Sequence, residues 1–200
     1  MKNVIFDLGG VLIDWDPALA FSDVFTGRAE AETWMARIDF FGWNRMQDGG
    51  RSFAEGLAAA RVEHGDEARH LAGYLAAFPV TIEKTVPGTW ALAEALLARG
   101  VPLYALTNWA AETWPHALDV HPRLGGLFAD ILVSGQVGAL KPEPAIYRLL
   151  MDRNGLRPQD CIFIDDVLAN VEGARAVGMD GIRFTGAEAL GAELARRGVF

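Results

Sequence analysis

Asn3-Val4-Ile5-Phe6-Asp7-Leu8-Gly9-Gly10-Val11 is the stretch on which the fold turns. Val4, Ile5 and Phe6 are apolar, and a glycine pair follows, so the segment reads as a short buried strand that stops at Asp7. Three further fragments belong with it: Leu106-Thr107-Asn108, Lys141-Pro142 and Phe163-Ile164-Asp165-Asp166. The first and last of these also close apolar runs. In open α/β sheets ligands bind just beyond the carboxyl ends of the strands. A carboxylate, a hydroxyl, an amine and a carboxylate pair are therefore expected along one sheet edge, which points to an enzyme.

Outward from these fragments, residues 101–106, 131–133, 161–164 and 181–184 read as further strands. Helical patterns lie between them. One starts at Thr89, expected to cap it, with Leu92, Leu96 and Leu97 on one face and Gly100 at its end. Others cover residues 110–118, with a break expected at Trp114-Pro115, then 144–153, 169–177 and 187–197. Strands alternating with helices predict a parallel sheet covered on both faces. Residues 17–84 differ: they are alanine-rich, charged and aromatic, with helical periodicity and no convincing strand. Gly49-Gly50 marks a loop there, and Ser52 followed by Glu55 forms a capping box that opens a helix. The expected division is a core of residues 1–16 and 85–200 with a helical insertion at 17–84.

At 200 residues, 51% hydrophobic and 22% charged, the chain has the composition of a globular protein with a sizeable core. A formal charge of -8, with no basic run, argues against nucleic acid, which is bound by clustered Lys and Arg. No apolar run is long enough to cross a bilayer, and Asp7 interrupts any signal-peptide pattern, so a cytoplasmic location is expected. The lone Cys161 excludes an intramolecular disulfide and reads as a buried, inert thiol. His64, His70, His116 and His121 have no metal-ligand spacing and read as surface or packing residues.

The fragments carry chemistry in combination. Adjacent carboxylates such as Asp165-Asp166 repel unless a cation or donors compensate. With Asp7 they offer three oxygen ligands, a set that suits Mg²⁺. The plainer reading, that Asp165 or Asp166 caps the next helix, leaves Asp7, Thr107 and Lys141 unexplained. Lys141 stands before a helix start, where it opposes the helix dipole, which fits an anion to be neutralised. Thr107 and Asn108 offer a hydroxyl, an amide and backbone N–H groups to the same anion.

In motif order and spacing these residues resemble the haloacid dehalogenase-like hydrolase superfamily, nearly end to end. The resemblance implies a Rossmann-like three-layer α/β core, with a small α-helical cap inserted after the first strand. It implies Asp7 as a nucleophile that forms an aspartyl intermediate, Thr107 binding the phosphoryl oxygens, and Lys141 neutralising them. Mg²⁺ would be held by Asp165, Asp166, Asp7 and the carbonyl of Gly9, with Asn170 behind them. Asn108, Gly10, Trp43 and Arg37 are the expected substrate contacts. Phosphatases of this superfamily usually carry a second Asp two residues after the nucleophile, to protonate the leaving alcohol, and here Gly9 stands there. Losing such an acid costs about 10²–10⁴-fold. Either the leaving group needs little help, or a cap residue or water supplies the proton, or the chemistry is different.

The Gly9 variant of the motif looks most like the bacterial sugar-phosphate phosphatase branch known for α-D-glucose 1-phosphate. The expected function is a Mg²⁺-dependent phosphatase acting on a small phosphate ester, as a monomer or homodimer. One alternative is a metal-free 2-haloacid dehalogenase using Asp7, with Arg37, Phe40, Phe41 and Trp43 around the halide. Another is a hydrolase-like binding protein without turnover.

Overall fold

In the computed structural model, which describes residues 2–199, β1 (Asn3–Phe6) lies at the centre of a five-stranded sheet. The other strands are β2 (Leu103–Thr107), β3 (Asp130–Val133), β4 (Cys161–Asp165) and β5 (Asp180–Arg183). Their order is β3-β2-β1-β4-β5, and every neighbouring pair is parallel. The helices, in chain order, are α1 (Arg28–Arg37), α2 (Phe40–Asp48), α3 (Phe53–His64), α4 (Tyr74–Thr81), α5 (Thr89–Ala98), α6 (Trp114–Val120), the one-turn α7 (Leu124–Leu127) and α8 (Ser134–Val137), α9 (Pro144–Asn154), α10 (Leu168–Ala176) and α11 (Ala187–Arg196).

Both faces of the central strands are buried, which is why β1, β2 and β4 are largely apolar, whereas the edge strands β3 and β5 admit Asp130, Asp180 and Arg183. Side chains alternate across a strand. Ile5, Leu106 and Phe163 face Ile146, Tyr147 and Leu150 of α9 and Ala174 of α10. Val4, Phe6, Ala105, Ile162 and Ile164 join a second cluster with Trp90 and Leu96 of α5 and Leu190 and Leu194 of α11. The strand order reverses at β1, so Asp7 emerges between the ends of β2 and β4, the place where such sheets bind ligands.

Within the expected insertion at 17–84, the helical elements run from a short turn at Pro17–Phe21 to α4, which ends at Thr81. The interior of the insertion is built around Tyr74, whose ring lies within 6.0 Å of those of Phe21, Phe40, Trp43, Phe53 and Phe78. Phe78 also meets Trp109 of the sheet half at 5.6 Å, so the apolar packing is continuous between the two. The connecting segments are bonded to one another: Asp14 N to Lys84 O at 2.9 Å, Asp16 N to Thr81 O at 2.8 Å, and Val86 N to Leu12 O at 3.0 Å.

Three local expectations are corrected. Thr89 does not cap α5; it is the first helical residue, its hydroxyl buried without a partner among the described residues, and Gly88 at φ 80° makes the turn. Leu97 is 43% exposed, because successive helical positions diverge, and the buried face runs Trp90, Ala93, Leu96. Trp114-Pro115 begins α6 rather than breaking a helix, since a proline in the first turn forfeits no hydrogen bond. Among the described residues, no helix is long and apolar enough to cross a membrane.

Candidate active site

Lys141 is the pivot of the site. It is 1% exposed, with Nζ 2.8 Å from Asp7 Oδ1 and 2.7 Å from Asp165 Oδ2. Its backbone is clamped by Asn108, whose Oδ1 accepts from Lys141 N at 2.9 Å and whose Nδ2 donates to Lys141 O at 3.1 Å. Burial alone would lower the Lys141 pKa, but the charges of Asp7 and Asp165 outweigh it and hold the ammonium above its usual range. Asp7 is placed by its own N–H, which donates to Ile164 O at 2.8 Å, and its Oδ1 accepts from Leu8 N at 2.7 Å. Burial pushes the Asp7 carboxyl up, against the pull of Lys141.

Asp7, Asp165 and Asp166 bring carboxylate oxygens within 4.8 Å of one another. The last two differ in role. Asp165 is fully buried, and both its oxygens are taken by protein donors: Val167 N at 2.8 Å, Asn170 Nδ2 at 3.1 Å to each oxygen, and Lys141 Nζ. Asp165, expected as a metal ligand, accepts from Lys141 and Asn170 and is also one of the three carboxylates grouped closely enough to hold a cation. Asp166 lines the cavity and Asp165 does not. The Asp166 carboxyl is raised by burial and then by the charge of Asp165. Three carboxylates against one ammonium leave an excess of negative charge and oxygen donors, which fits a hard divalent cation.

Gly10 makes room for this arrangement. Its φ is 74°, and a Cβ there would sit 2.6 Å from Asp166 Oδ2. A Cβ on Gly9 would meet no atom within 4 Å, so the space there, two residues past Asp7, is open.

The cavity over Asp7 measures about 400 Å³. Of the expected residues, Asp7, Gly9, Gly10, Thr107, Asn108, Lys141, Asp166 and Asn170 line it. Two expected substrate contacts lie elsewhere. Arg37 ends α1, largely exposed, with Nε 2.6 Å from Glu67 Oε2. Trp43 packs inside the insertion, and its Nε1 donates to Gly56 O at 2.9 Å. The amide of Asn108 makes one hydrogen bond through each of its polar atoms to the Lys141 backbone, and Asn108 also lines the cavity.

Five lining residues carry no motif that marked them in the sequence: Asp14, Trp15, Arg45, Asp48 and Val167. Arg45 and Asp48 occupy the last turn of α2, where the polar i,i+4 pair Asn44 and Asp48 ahead of Gly49-Gly50 was the available signal.

A family model described as haloacid dehalogenase-like hydrolase matches residues 1–178. The chain is 30% identical to a phosphoglycolate phosphatase of Rhodospirillum rubrum, over 89% of this chain and 77% of that protein. It is 31% identical to flavin mononucleotide hydrolase 1 of Arabidopsis thaliana, over 56% of this chain and only 45% of the plant protein. Among solved structures, a HAD family enzyme of Bacteroides thetaiotaomicron in complex with magnesium and inorganic phosphate superposes with a TM-score of 0.68. That match covers 93% of this chain and 95% of the other at 23% identity.

Proposed function

The chain belongs to the haloacid dehalogenase-like hydrolases, and from that premise we propose that it is a Mg²⁺-dependent phosphatase of small phosphate monoesters, sugar phosphates foremost. One observation carries the reading: a buried lysine holds a nucleophilic carboxylate at the floor of a cavity that Asp166 also lines. Phosphoryl transfer asks the protein mainly for positioning and charge neutralisation, and this cluster supplies both.

Asp7 attacks phosphorus with the oxygen not engaged by Lys141 and forms an aspartyl-phosphate. Lys141, with Thr107 beside it, meets the charge of the phosphoryl oxygens, and Asp165 and Asn170 keep the lysine aimed. Asp7, Asp166, Asp165 and the Gly9 carbonyl are the groups that would hold Mg²⁺. When bound, the ion neutralises phosphoryl charge. Residues 17–84 act as the cap over this floor. Its polar side chains Arg45 and Asp48, with the Trp15 ring nearby, suit a hydroxylated leaving group with an apolar face, as a sugar has. The metal-free dehalogenase reading loses ground, because Arg37 and Trp43 do not reach the cavity.

The test is hydrolysis of p-nitrophenyl phosphate. EDTA stops turnover and Mg²⁺ restores it, while Asp7→Asn is inactive with unchanged circular dichroism. A Mg²⁺-independent rate, or an Asp7→Asn variant with wild-type turnover, overturns the proposal. EDTA-indifferent halide release from 2-chloropropionate replaces it with the dehalogenase.

A further inference from the structure

We propose that Asp48, carried into the site by the end of α2, is the general acid that protonates the leaving oxygen in place of the carboxylate missing at Gly9. The inference rests on the phosphatase reading and extends it to esters of ordinary alcohols, whose leaving groups need a proton.

The geometry begins with a gap. The space that a side chain at position 9 would fill is open, and Asp48 borders that space from the insertion side: Gly9 and Asp48 line both the main cavity and the small niche beside it. The niche adds Phe78, Trp109 and Asn44, so a leaving group seated there is flanked by aromatic rings with one carboxyl against it.

Asp48 is fixed in place from both halves of the molecule. Asn44 Nδ2 donates to its Oδ2 at 3.1 Å, and the Ser134 hydroxyl donates to its backbone carbonyl at 2.6 Å. The charged groups around it are Arg45 on its own helix and Lys141 from the sheet half. Burial lifts the carboxyl to about 7, against the opposing pull of Arg45, so it holds a proton near neutrality. The other acids of the cavity are excluded by position: Asp7 attacks, Asp166 belongs to the cation site, and Asp14 is exposed to solvent.

The step balances. As an Asp7 oxygen bonds to phosphorus, the P–O bond to the leaving group breaks, and its electron pair goes to the leaving oxygen. That oxygen takes the Asp48 proton and departs as the alcohol. Asp48, now a carboxylate, takes a proton from water as the water oxygen bonds to phosphorus. The P–O bond to Asp7 then breaks, its electron pair returns to the Asp7 carboxylate, and phosphate leaves.

The experiment compares wild type with Asp48→Asn, in Mg²⁺, on p-nitrophenyl phosphate and on the best alkyl monophosphate of a small panel that includes glycerol 2-phosphate. The readout is kcat/KM, which reports events up to leaving-group departure. The expected loss is about 10²-fold or more on the alkyl ester and about tenfold or less on the nitrophenyl ester. Equal losses on both, or an alkyl loss below tenfold, overturn the inference. So does a wild type that cleaves p-nitrophenyl phosphate but no alkyl ester. A wild type that cleaves neither overturns the phosphatase reading itself. The ratio is read within one preparation, so a partly unfolded variant does not blur it, and if Asp48→Asn does not fold, Asp48→Ser is read the same way.

Discussion

A carboxyl held in its acid form by burial weakens the fold when it is forced to ionise. Folded, Asp48 keeps its proton up to about 7, whereas in the unfolded chain it loses it near 3.8. Between those values the folded state binds more protons, so stability falls as pH rises through the window. Asp48→Asn removes the titrating group, and its Tm relative to wild type is expected to be higher at pH 8 than at pH 5. A difference that is the same at both pH values contradicts the environment described for Asp48. Asp7, Thr107 and Asp166 were legible in the sequence because they end or directly follow strands and so stand at the sheet edge whatever else the chain does. For Asp48 the polar i,i+4 pair with Asn44 was the one local signal, and it did not reveal that α2 docks its last turn at the cavity, because no local pattern encodes docking.

Among the elements, α3 shows how far local chemistry reaches. Ser52 Oγ accepts from Glu55 N at 3.2 Å, and Glu55 Oε2 accepts from Ser52 N at 3.1 Å. The reciprocal pair involves only neighbours in sequence, so the spacing of the serine and the glutamate announces it unaided. Ser52→Ala is expected to cost about 1 kcal/mol, measured by urea denaturation, with turnover retained. An undiminished stability means that packing, not the cap, fixes where α3 starts. The central strands were legible for a related reason: burial on both faces demands apolar runs, which β1, β2 and β4 supply. The starts of α5 and α6 were not. Gly88 takes a left-handed turn and Pro115 opens a helix, and both choices are set by the segments on either side.

At the scale of the whole molecule, one apolar cluster contains Val4, Phe6 and Leu96 of the sheet half together with Phe21, Phe40, Tyr74 and Phe78 of the insertion. Cooperative units follow contiguous packing. Urea unfolding is therefore expected to give one transition, with tryptophan fluorescence and far-ultraviolet circular dichroism superimposing. Indoles report from both sides: Trp34 and Trp43 from the insertion, Trp90, Trp109 and Trp114 from the sheet half. Two separated midpoints refute the continuity across the Phe78–Trp109 contact.

The stretches that lead into and out of the helical segment are laced together, with Asp16 N 2.8 Å from Thr81 O. A segment whose ends meet is a cassette. Another helical module with equally close ends, and an apolar seam to match Trp109, could be spliced at the same two points without disturbing Asp7 or its lysine. The chain thus confines the helical module to one uninterrupted length of gene, and the sheet that carries Asp7 and Lys141 is encoded on either side of it.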